Sequence, residues 1–352
     1  MDAPPPLHGL TLAQVSEFAR RQLPRGAGAA RALYGQWMKT GAFDPAACGL
    51  GALAQAAWMQ AFSCDLPAVS RVLREEREGD YGPVVTAKAV LKLADGAAVE
   101  CVHIPRGRGR FSLCISSQVG CKMACGFCET GRMGLRRQLS ADEMVAQVLV
   151  ARHRLGWQVD NVVFMGMGEA LDNAPALLAC LAILADPAGC GIPLQRMTVC
   201  TVGHVPGIRA LAAAGLTRLG LAVSLNAARD ELRSQLMPIN RRWPLQELQT
   251  ALREYRPRPN FQLAVHYCLM PGMNDAPEDV DAIADFVRPL GRAMVNLIPY
   301  NPGSISLTRP PRDEEVSAFA SALRAQGLMV RKRITKGASV MAACGQLSTR
   351  GV

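Results

Sequence analysis

The sequence predicts an α/β protein in which a partial (β/α)6 barrel follows a small N-terminal helical domain. Two observations support this fold class. Apolar residues in roughly the first 80 positions recur at spacings of three and four, as they do on one face of a helix. From residue 111 onward, short apolar runs typical of buried strands alternate with longer runs typical of helices. Repeated strand–helix units build a parallel sheet covered by helices, and six units are too few for a complete eight-stranded barrel.

The first part of the chain, residues 1–85, is predicted to be a helical accessory domain. Its helical spacing runs from Leu10 to about Asp80 and is interrupted by stretches rich in glycine and proline, such as PRGAG. Residues 86–110 are predicted to form a β-hairpin linker, because the sequence alternates on both sides of the turn dipeptide Asp95-Gly96. Residues 111–335 are assigned to the barrel and residues 336–352 to a C-terminal tail.

The barrel region contains seven strand candidates with helix candidates between them. The strands are predicted at 111–116, 161–166, 196–201, 218–225, 261–269, 294–300 and 329–334. The helices are predicted at 141–155, 174–184, 208–215, 245–255, 279–287 and 314–326.

Composition limits the class of protein. The chain has 352 residues, of which 49% are hydrophobic and 19% charged, and this balance is typical of an ordered globular protein. The net charge of +10 favours a polyanionic partner, although a basic protein without such a partner has the same composition. The chain begins without a signal-peptide pattern and has no apolar run of about 18 residues, so we expect a cytoplasmic protein that does not enter a membrane.

Three of the twelve cysteines form the most informative motif. Cys121, Cys125 and Cys128 have the spacing C-x3-C-x2-C, in a predicted loop between a strand and a helix. Three thiolates this close can hold three irons of a [4Fe-4S] cluster and leave the fourth iron open. The alternative is a zinc knuckle, but structural zinc sites have a fourth protein ligand and usually C-x2-C pairs.

This spacing after the first barrel strand resembles the radical S-adenosylmethionine (SAM) superfamily. The resemblance implies that SAM binds the open iron and is cleaved to a 5′-deoxyadenosyl radical. It also implies that Phe127 packs near the SAM adenine. The FMGMGE segment resembles the superfamily's GGE motif, which assigns Gly168 to the SAM site and Glu169 to the SAM amino group.

Three further segments, LCISSQVGC, VNLIPYNP and MAACGQL, resemble the RlmN/Cfr family of RNA adenine methyltransferases. The resemblance implies that Cys344 accepts a methyl group from one SAM and that a second SAM generates the radical. It further implies that Cys114 attacks the Cys344 sulfur to release the product and that Glu100 accepts a proton. Without the resemblance, Cys114 is better explained as a small buried residue and Glu100 as a solvent-facing strand residue.

The family's SAM contacts carry over to Gly168, Glu169, Cys200, the Ser224-Leu225-Asn226 segment and Asn301. Two positions depart from the family, because Cys200 replaces a serine and Asn226 replaces a histidine. A thiol forms weaker hydrogen bonds than a hydroxyl, so Cys200 is a less certain ligand on chemical grounds. The remaining cysteines outside any motif are expected to be packing residues: Cys48, Cys64, Cys180, Cys190 and Cys268.

Basic runs predict where RNA binds. The runs lie beside the predicted reaction centre and contain Arg106, Arg108 and Arg110; Arg136 and Arg137; Arg241 and Arg242; and Arg331, Lys332, Arg333 and Lys336. The implied partners are 23S rRNA, tRNA or both, and an electron donor such as flavodoxin or ferredoxin. We expect a monomer.

The position of methylation is less well defined. C2 of adenine is favoured as the commoner activity, whereas the GEALDN segment resembles the C8-methylating resistance enzyme. Two other classes remain open, namely a radical SAM enzyme with a non-RNA substrate and a non-enzymatic iron–sulfur or zinc RNA-binding module. The first of these classes requires neither Cys114 nor Cys344, and the second would not need the Gly-Met-Gly-Glu loop.

Overall fold

The computed structural model describes residues 4–24, 26–79, 82–255 and 257–349. The chain begins with three helices, α1 (Leu12–Gln22), α2 (Gly26–Thr40) and α3 (Ala52–Ala61). Thr11 and Gln14 form a capping box at the start of α1, which satisfies backbone N–H groups at the helix terminus. The prediction of an N-terminal helical region is thus confirmed as far as Ala61.

The prediction of helix up to residue 80 is wrong. After α3 the chain forms two antiparallel strands, β1 (Ala68–Gly79) and β2 (Gly82–Lys92). The Arg, Leu and Glu residues of β1 favour helices as isolated residues, but pairing with β2 along the whole strand decides its structure. The predicted domain boundary at residue 85 falls within β2, and both strands belong to the same sheet as the barrel strands.

The predicted hairpin is present. Strand β3 (Ala98–Gly107) pairs antiparallel with β2, and its register begins at Lys92 opposite Ala98. Gly96 in the turn between them has a positive φ of 84°, a conformation that glycine adopts without strain.

The rest of the chain contains nine strands and eight α-helices in its described part. The strands are β4 (Arg110–Cys114), β5 (Gln118–Cys121), β6 (Gly134–Gln138), β7 (Asn161–Phe164), β8 (Met197–Thr201), β9 (Gly220–Ser224), β10 (Leu263–Leu269), β11 (Ala293–Pro299) and β12 (Val330–Lys332). The helices are α4 (Glu129–Arg132), α5 (Ala141–Leu149), α6 (Ala174–Ala185), α7 (Val205–Ala213), α8 (Asp230–Leu236), α9 (Leu245–Glu254), α10 (Pro277–Val287) and α11 (Asp313–Ala325). A π-helical turn, Val150–Arg154, extends α5.

The large sheet has the strand order β1-β2-β3-β4-β7-β8-β9-β10-β11-β12. Within this sheet, β4 and the six strands β7 to β12 are parallel to one another. Each of α5, α6, α7, α9, α10 and α11 connects one of these seven strands to the next. Each predicted barrel strand and helix is therefore present, and the partial (β/α)6 barrel is confirmed. The fold brings the carboxyl ends of the seven parallel strands to one edge, where ligands of such sheets bind.

A second, two-stranded sheet pairs β5 with β6 antiparallel and was not predicted. The cysteine motif lies between these two strands. None of the described helices is long and apolar enough to cross a membrane.

Candidate active site

The three motif cysteines lie on one short loop and line one cavity. Cys121 ends β5, and Cys128 immediately precedes α4. Cys121 and Cys125 are buried, whereas Cys128 is half-buried. The loop is fixed to the barrel because the Gly126 N–H donates to the Leu236 carbonyl at 3.0 Å. We call the space that the three cysteines line the cluster cavity.

The buried positive charge beside these cysteines suits a metal cluster that is bound through thiolates. Burial raises the pKa of the Cys121 thiol to about 12 and that of Cys125 well above its usual value, so the bare thiolates are disfavoured there. The fully buried Arg233 guanidinium lies near enough to Cys125 for their charges to attract. Its hydrogen bonds go to neutral acceptors, including the Val202 carbonyl at 2.7 Å and Asn240 Oδ1 at 2.8 Å. The Asp230 carboxylate is the other nearby negative charge, and an anionic iron–thiolate centre at Cys125 would compensate the buried cation further.

Within the described residues, no three Cys, His, Asp or Glu side chains meet in the geometry of a single bound metal ion. Three cysteines on one loop, facing one cavity beside a buried arginine, match the ligand chemistry of a [4Fe-4S] cluster with one open iron.

The predicted SAM loop follows β7. Gly166 and Gly168 are both required sterically, because a Cβ at Gly166 would lie 2.6 Å from the Ile115 carbonyl and one at Gly168 would lie 2.5 Å from Gln118. The glycines were expected to let the backbone approach a ligand. In the structure their immediate effect is to let the loop pack against the segment that joins β4 to β5.

Glu169 is buried at the end of this loop and lines the cluster cavity. Its carboxylate accepts hydrogen bonds from the Val202 N–H at 2.8 Å and the Leu171 N–H at 3.1 Å. Burial nevertheless raises the pKa of this carboxyl to about 7. A buried carboxylate held by backbone donors in this way can bind an ammonium group, which would favour its ionised form.

The other predicted SAM contacts are only partly brought together. Phe127, Gly168, Cys200, Ser224 and Asn226 line the cluster cavity. Leu225 is fully buried and does not line it, although its backbone N–H donates to the His266 carbonyl at 2.9 Å. Asn301 lines a neighbouring cavity instead.

Sequence reasoning missed two residues that line the cluster cavity and one that lies behind it. Cys268 was expected to be a packing residue, but it lines the cavity, as does His266 on the same strand. Arg233, near Cys125, was not singled out. No local motif marks these positions: β10 brings His266 and Cys268 to the cavity, and α8, which follows β9, places Arg233 behind it. Cys180 and Cys190, by contrast, are packing residues in the core as predicted.

Cys344 lies where two cavities meet. It lines the cluster cavity and a second space that we call the basic cavity, which is also lined by Cys114, Arg106, Arg331, Lys332, Arg333 and Lys336. The thiol is accessible to solvent, yet the surrounding protein raises its pKa and the Arg333 guanidinium acts in the opposite direction. Burial also raises the pKa of Cys114, and the negative charge of a Cys344 thiolate would raise it further. The structure thus brings both predicted reactive cysteines to one cavity.

Glu100 lines neither cavity. It is buried on β3, pairs with Lys88 Nζ at 3.1 Å and accepts a hydrogen bond from the Ser348 N–H at 3.0 Å. It therefore contacts the tail four residues beyond Cys344. The alternative of a solvent-facing residue is wrong, because only 2% of Glu100 is exposed.

The tail around Cys344 is held at both ends. Before it, the buried Glu75 carboxylate accepts from the Gly337 N–H at 2.6 Å and from both the N–H and the hydroxyl of Ser339. After it, the Glu129 N–H donates to the Gly345 carbonyl at 2.8 Å and Thr130 Oγ1 donates to the Leu347 carbonyl at 2.6 Å. Since Glu129 and Thr130 directly follow Cys128, the same short helix holds the tail and ends the cysteine loop.

Only part of the predicted basic surface gathers at this site. Burial and the neighbouring Arg333, Arg110 and Arg331 lower the pKa of Arg106, which reflects a concentration of positive charge. Arg137 is engaged elsewhere, because it forms ion pairs with Asp95 and Glu143 at 2.7 Å each. Five other predicted basic residues line neither cavity: Arg108, Arg110, Arg136, Arg241 and Arg242.

Comparisons with known proteins agree with this geometry. The Radical SAM superfamily profile matches residues 115–287. A dual-specificity RNA methyltransferase RlmN of Syntrophobacter fumaroxidans is 41% identical over 80% of this chain and 81% of its own length. A probable RNA methyltransferase of Sorangium cellulosum is 40% identical over 96% of this chain and 85% of its own.

A solved structure extends the similarity to the whole fold. The crystal structure of a radical SAM methyltransferase from Sphaerobacter thermophilus superposes with a TM-score of 0.87 at 36% identity, covering 98% of this chain and 99% of the other. The cysteine loop, the barrel and the sequence relatives lead to the same assignment. The chain belongs to the RlmN family of radical SAM RNA methyltransferases.

Proposed function

We propose that the protein methylates a carbon of an adenosine base in RNA, with C2 favoured over C8, through a methylated Cys344. The observation that carries the proposal is that Cys344 lines both the cluster cavity and the basic cavity. One sulfur therefore faces the predicted SAM site on one side and a cation-rich opening on the other. Such a sulfur can receive a one-carbon unit from the first cavity and deliver it to a base in the second.

In this proposal Cys121, Cys125 and Cys128 hold a [4Fe-4S] cluster, which supplies an electron and an open iron position for SAM. Glu169 binds the SAM ammonium group, with Gly168 beside it, and Phe127 packs near the adenine. Cys200 and Ser224 provide uncharged polar contacts. Leu225 and Asn301 lie outside the cluster cavity, and Asn226 lines it but accepts a hydrogen bond from the Cys268 N–H. We therefore propose an indirect role in SAM binding for these three residues.

Cys344 would accept a methyl group from one SAM, and a second SAM would be used to activate that methyl group. The activated carbon would bond to the base carbon, which would lose its hydrogen as a proton together with one electron. The Cys114 thiolate would then attack the Cys344 sulfur, so that a disulfide forms, the bond between sulfur and the RNA-linked carbon breaks, and that carbon takes up a proton to become the methyl group. The shared cavity of the two cysteines supports this step. We further propose Glu100 as the proton acceptor, because burial raises its pKa despite the adjacent Lys88 and because it contacts the tail.

The substrate we propose is 23S rRNA, tRNA or both, in the cytoplasm, with flavodoxin or ferredoxin as the electron donor. The cationic lining of the basic cavity supports a polyanionic substrate over a small neutral one. The relatives named RlmN favour C2 as the position of methylation. Methylation at C8 is the alternative, and it is favoured by the GEALDN segment, by the MGLRRQLS segment and by the short tail.

Mass spectrometry tests the proposal in two stages. Anaerobically reconstituted protein incubated with SAM is expected to carry one methyl group on Cys344, and digested RNA from the reaction is expected to contain 2-methyladenosine. A Cys344→Ala variant should give neither product, whereas Cys180→Ala, at a cysteine in the packed core, should give both. An unmethylated Cys344 in protein with an intact cluster would refute the intermediate. If the digested RNA contained 8-methyladenosine instead of 2-methyladenosine, the position of methylation would be C8.

A further inference from the structure

His266 is a buried histidine that faces the predicted SAM site. It lies on β10 in register with Ser224 of β9, and it lines the cluster cavity together with the three motif cysteines. Only 5% of the residue is exposed. Among the described residues, its ring has one hydrogen-bonding contact, from Nδ1 to Cys200 Sγ at 3.8 Å. A thiol is a weak partner, and buried imidazoles normally have both nitrogens satisfied, so the ring retains hydrogen-bonding capacity toward the cavity.

Asn226 is the nearest polar side chain after Ser224 that also lines the cluster cavity. The Asn226 side chain is already engaged: Oδ1 accepts from the Cys268 N–H at 2.9 Å, and Nδ2 contacts Met237 Sδ at 3.5 Å. Asn226 therefore fixes the loop after β9, and its side-chain oxygen is already used within the protein. His266, one strand away, is the imidazole that reaches the same cavity.

We propose that His266 hydrogen-bonds to a ribose hydroxyl of SAM. This inference rests on the proposed SAM site. The charged ends of SAM are assigned to Glu169 and to the open iron, and the adenine is assigned to Phe127. Cys200, Ser224 and His266 then form a row of uncharged polar groups along the ends of β8, β9 and β10. The part of SAM that needs uncharged donors and acceptors is its ribose.

The electrostatics of the site suit this role. Burial, together with the nearby Arg333, lowers the pKa of His266 to about 3, so the ring is neutral at physiological pH. A neutral imidazole has one donor and one acceptor and does not repel the sulfonium of SAM. An imidazolium in the same position would oppose binding of that cation.

The test uses two ligands that lack the amino-acid part of SAM, so that binding does not depend on Glu169 or on the open iron. Calorimetry on the anaerobically reconstituted full chain compares 5′-methylthioadenosine with its 2′,3′-dideoxy analogue. Wild-type protein is expected to bind 5′-methylthioadenosine more tightly than the dideoxy analogue. His266→Ala should bind 5′-methylthioadenosine roughly tenfold more weakly, as expected for the loss of one net hydrogen bond, and should bind the dideoxy analogue unchanged.

Two further variants separate hydrogen bonding from folding. His266→Gln keeps a donor and an acceptor and should recover part of the preference for ribose. His153→Gln, at a histidine whose ring contacts the Met38 carbonyl away from the cavity, should behave as wild type. Equal binding of 5′-methylthioadenosine by wild type and His266→Ala would overturn the inference, as would equal weakening of both ligands. These results concern only the cofactor cavity, whereas failure of the proposed function would appear as an unmethylated Cys344 in wild-type protein.

Discussion

At the scale of single residues, the ionisation of Glu169 controls how well the site can bind a cation. Its pKa of about 7 means that the carboxyl is largely ionised above pH 7 and largely neutral below it. Under the proposed assignment of the SAM ammonium group to ionised Glu169, SAM affinity should fall as the pH is lowered from 8 to 6. Calorimetric titration of SAM at pH 6, 7 and 8 measures this dependence.

The matched variants are Glu169→Gln and Glu254→Gln. The first removes the charge but keeps the size, so SAM should bind roughly tenfold more weakly at pH 8 and with little change at pH 6. The second alters an exposed glutamate on α9 and should retain the wild-type pH dependence. A wild-type affinity that does not vary with pH would contradict the assignment of the ammonium group to Glu169.

The residues that sequence reasoning identified correctly as lining the cluster cavity lie in contiguous motifs. Cys121, Cys125 and Cys128 share one loop, and Glu169 ends one segment after a strand. His266 and Arg233 were missed because their relation to the site depends on neighbouring strands and on a helix that follows β9. Contacts of this kind depend on sheet register and helix packing, which no short motif encodes.

At the scale of elements, strand β1 holds the tail that carries Cys344. Glu75 is the buried carboxylate of this strand, and its pKa is lowered by the hydrogen bonds from Gly337 and Ser339 and by Arg77, which together outweigh its burial. The lowered pKa keeps Glu75 ionised at neutral pH, and its hold on the tail is lost only in acid, as the pH falls through that lowered value. Charge-assisted hydrogen bonds of this type contribute about 1.5–3 kcal/mol each.

Glu75→Gln should therefore loosen the tail without altering the cluster cavity. We expect trypsin to cleave after Lys336 roughly tenfold faster and Cys344 to be methylated more slowly. Glu76→Gln is the matched control, because Glu76 is the exposed neighbour on the same strand. Limited proteolysis followed by mass spectrometry measures both effects. Equal cleavage of the two variants would exclude Glu75 as the anchor.

The elements that were predicted wrongly or missed have physical reasons. Strand β1 contains charged residues with good helix propensity, and its pairing with β2 outweighs that preference. Strands β5 and β6 are only four and five residues long and are separated by the cysteine loop, so no periodic pattern marks them. The barrel strands were predicted because burial on both faces leaves long apolar runs in the sequence.

At the scale of the whole molecule, the position of the positive charge is more informative than its total. The net charge of +10 alone could not distinguish a general attraction for polyanions from a localised RNA-binding surface. In the structure, Arg106, Arg331, Lys332, Arg333 and Lys336 line one cavity, and Cys344 lies at its boundary with the cluster cavity. Phosphates that flank an extruded base would bind these side chains and release counterions.

This arrangement predicts how salt weakens RNA binding. Each phosphate contact that is lost should reduce the slope of log affinity against log salt by about 0.7 for single-stranded RNA. Arg331→Gln should therefore lower the slope by about that amount, because Arg331 is an exposed residue that lines the basic cavity. Fluorescence anisotropy with a labelled single-stranded RNA, titrated with potassium chloride, measures the slope.

Arg20→Gln is the matched control, because it removes the same charge from the exposed surface of α1, in the N-terminal helical region. If RNA binds the basic cavity, the Arg20 variant keeps the wild-type slope while the Arg331 variant does not. If both variants reduce the slope equally, RNA is attracted by net charge and the basic cavity has no special part in binding. The comparison holds net charge constant between the two variants, so any difference in slope arises from where the charge lies relative to Cys344.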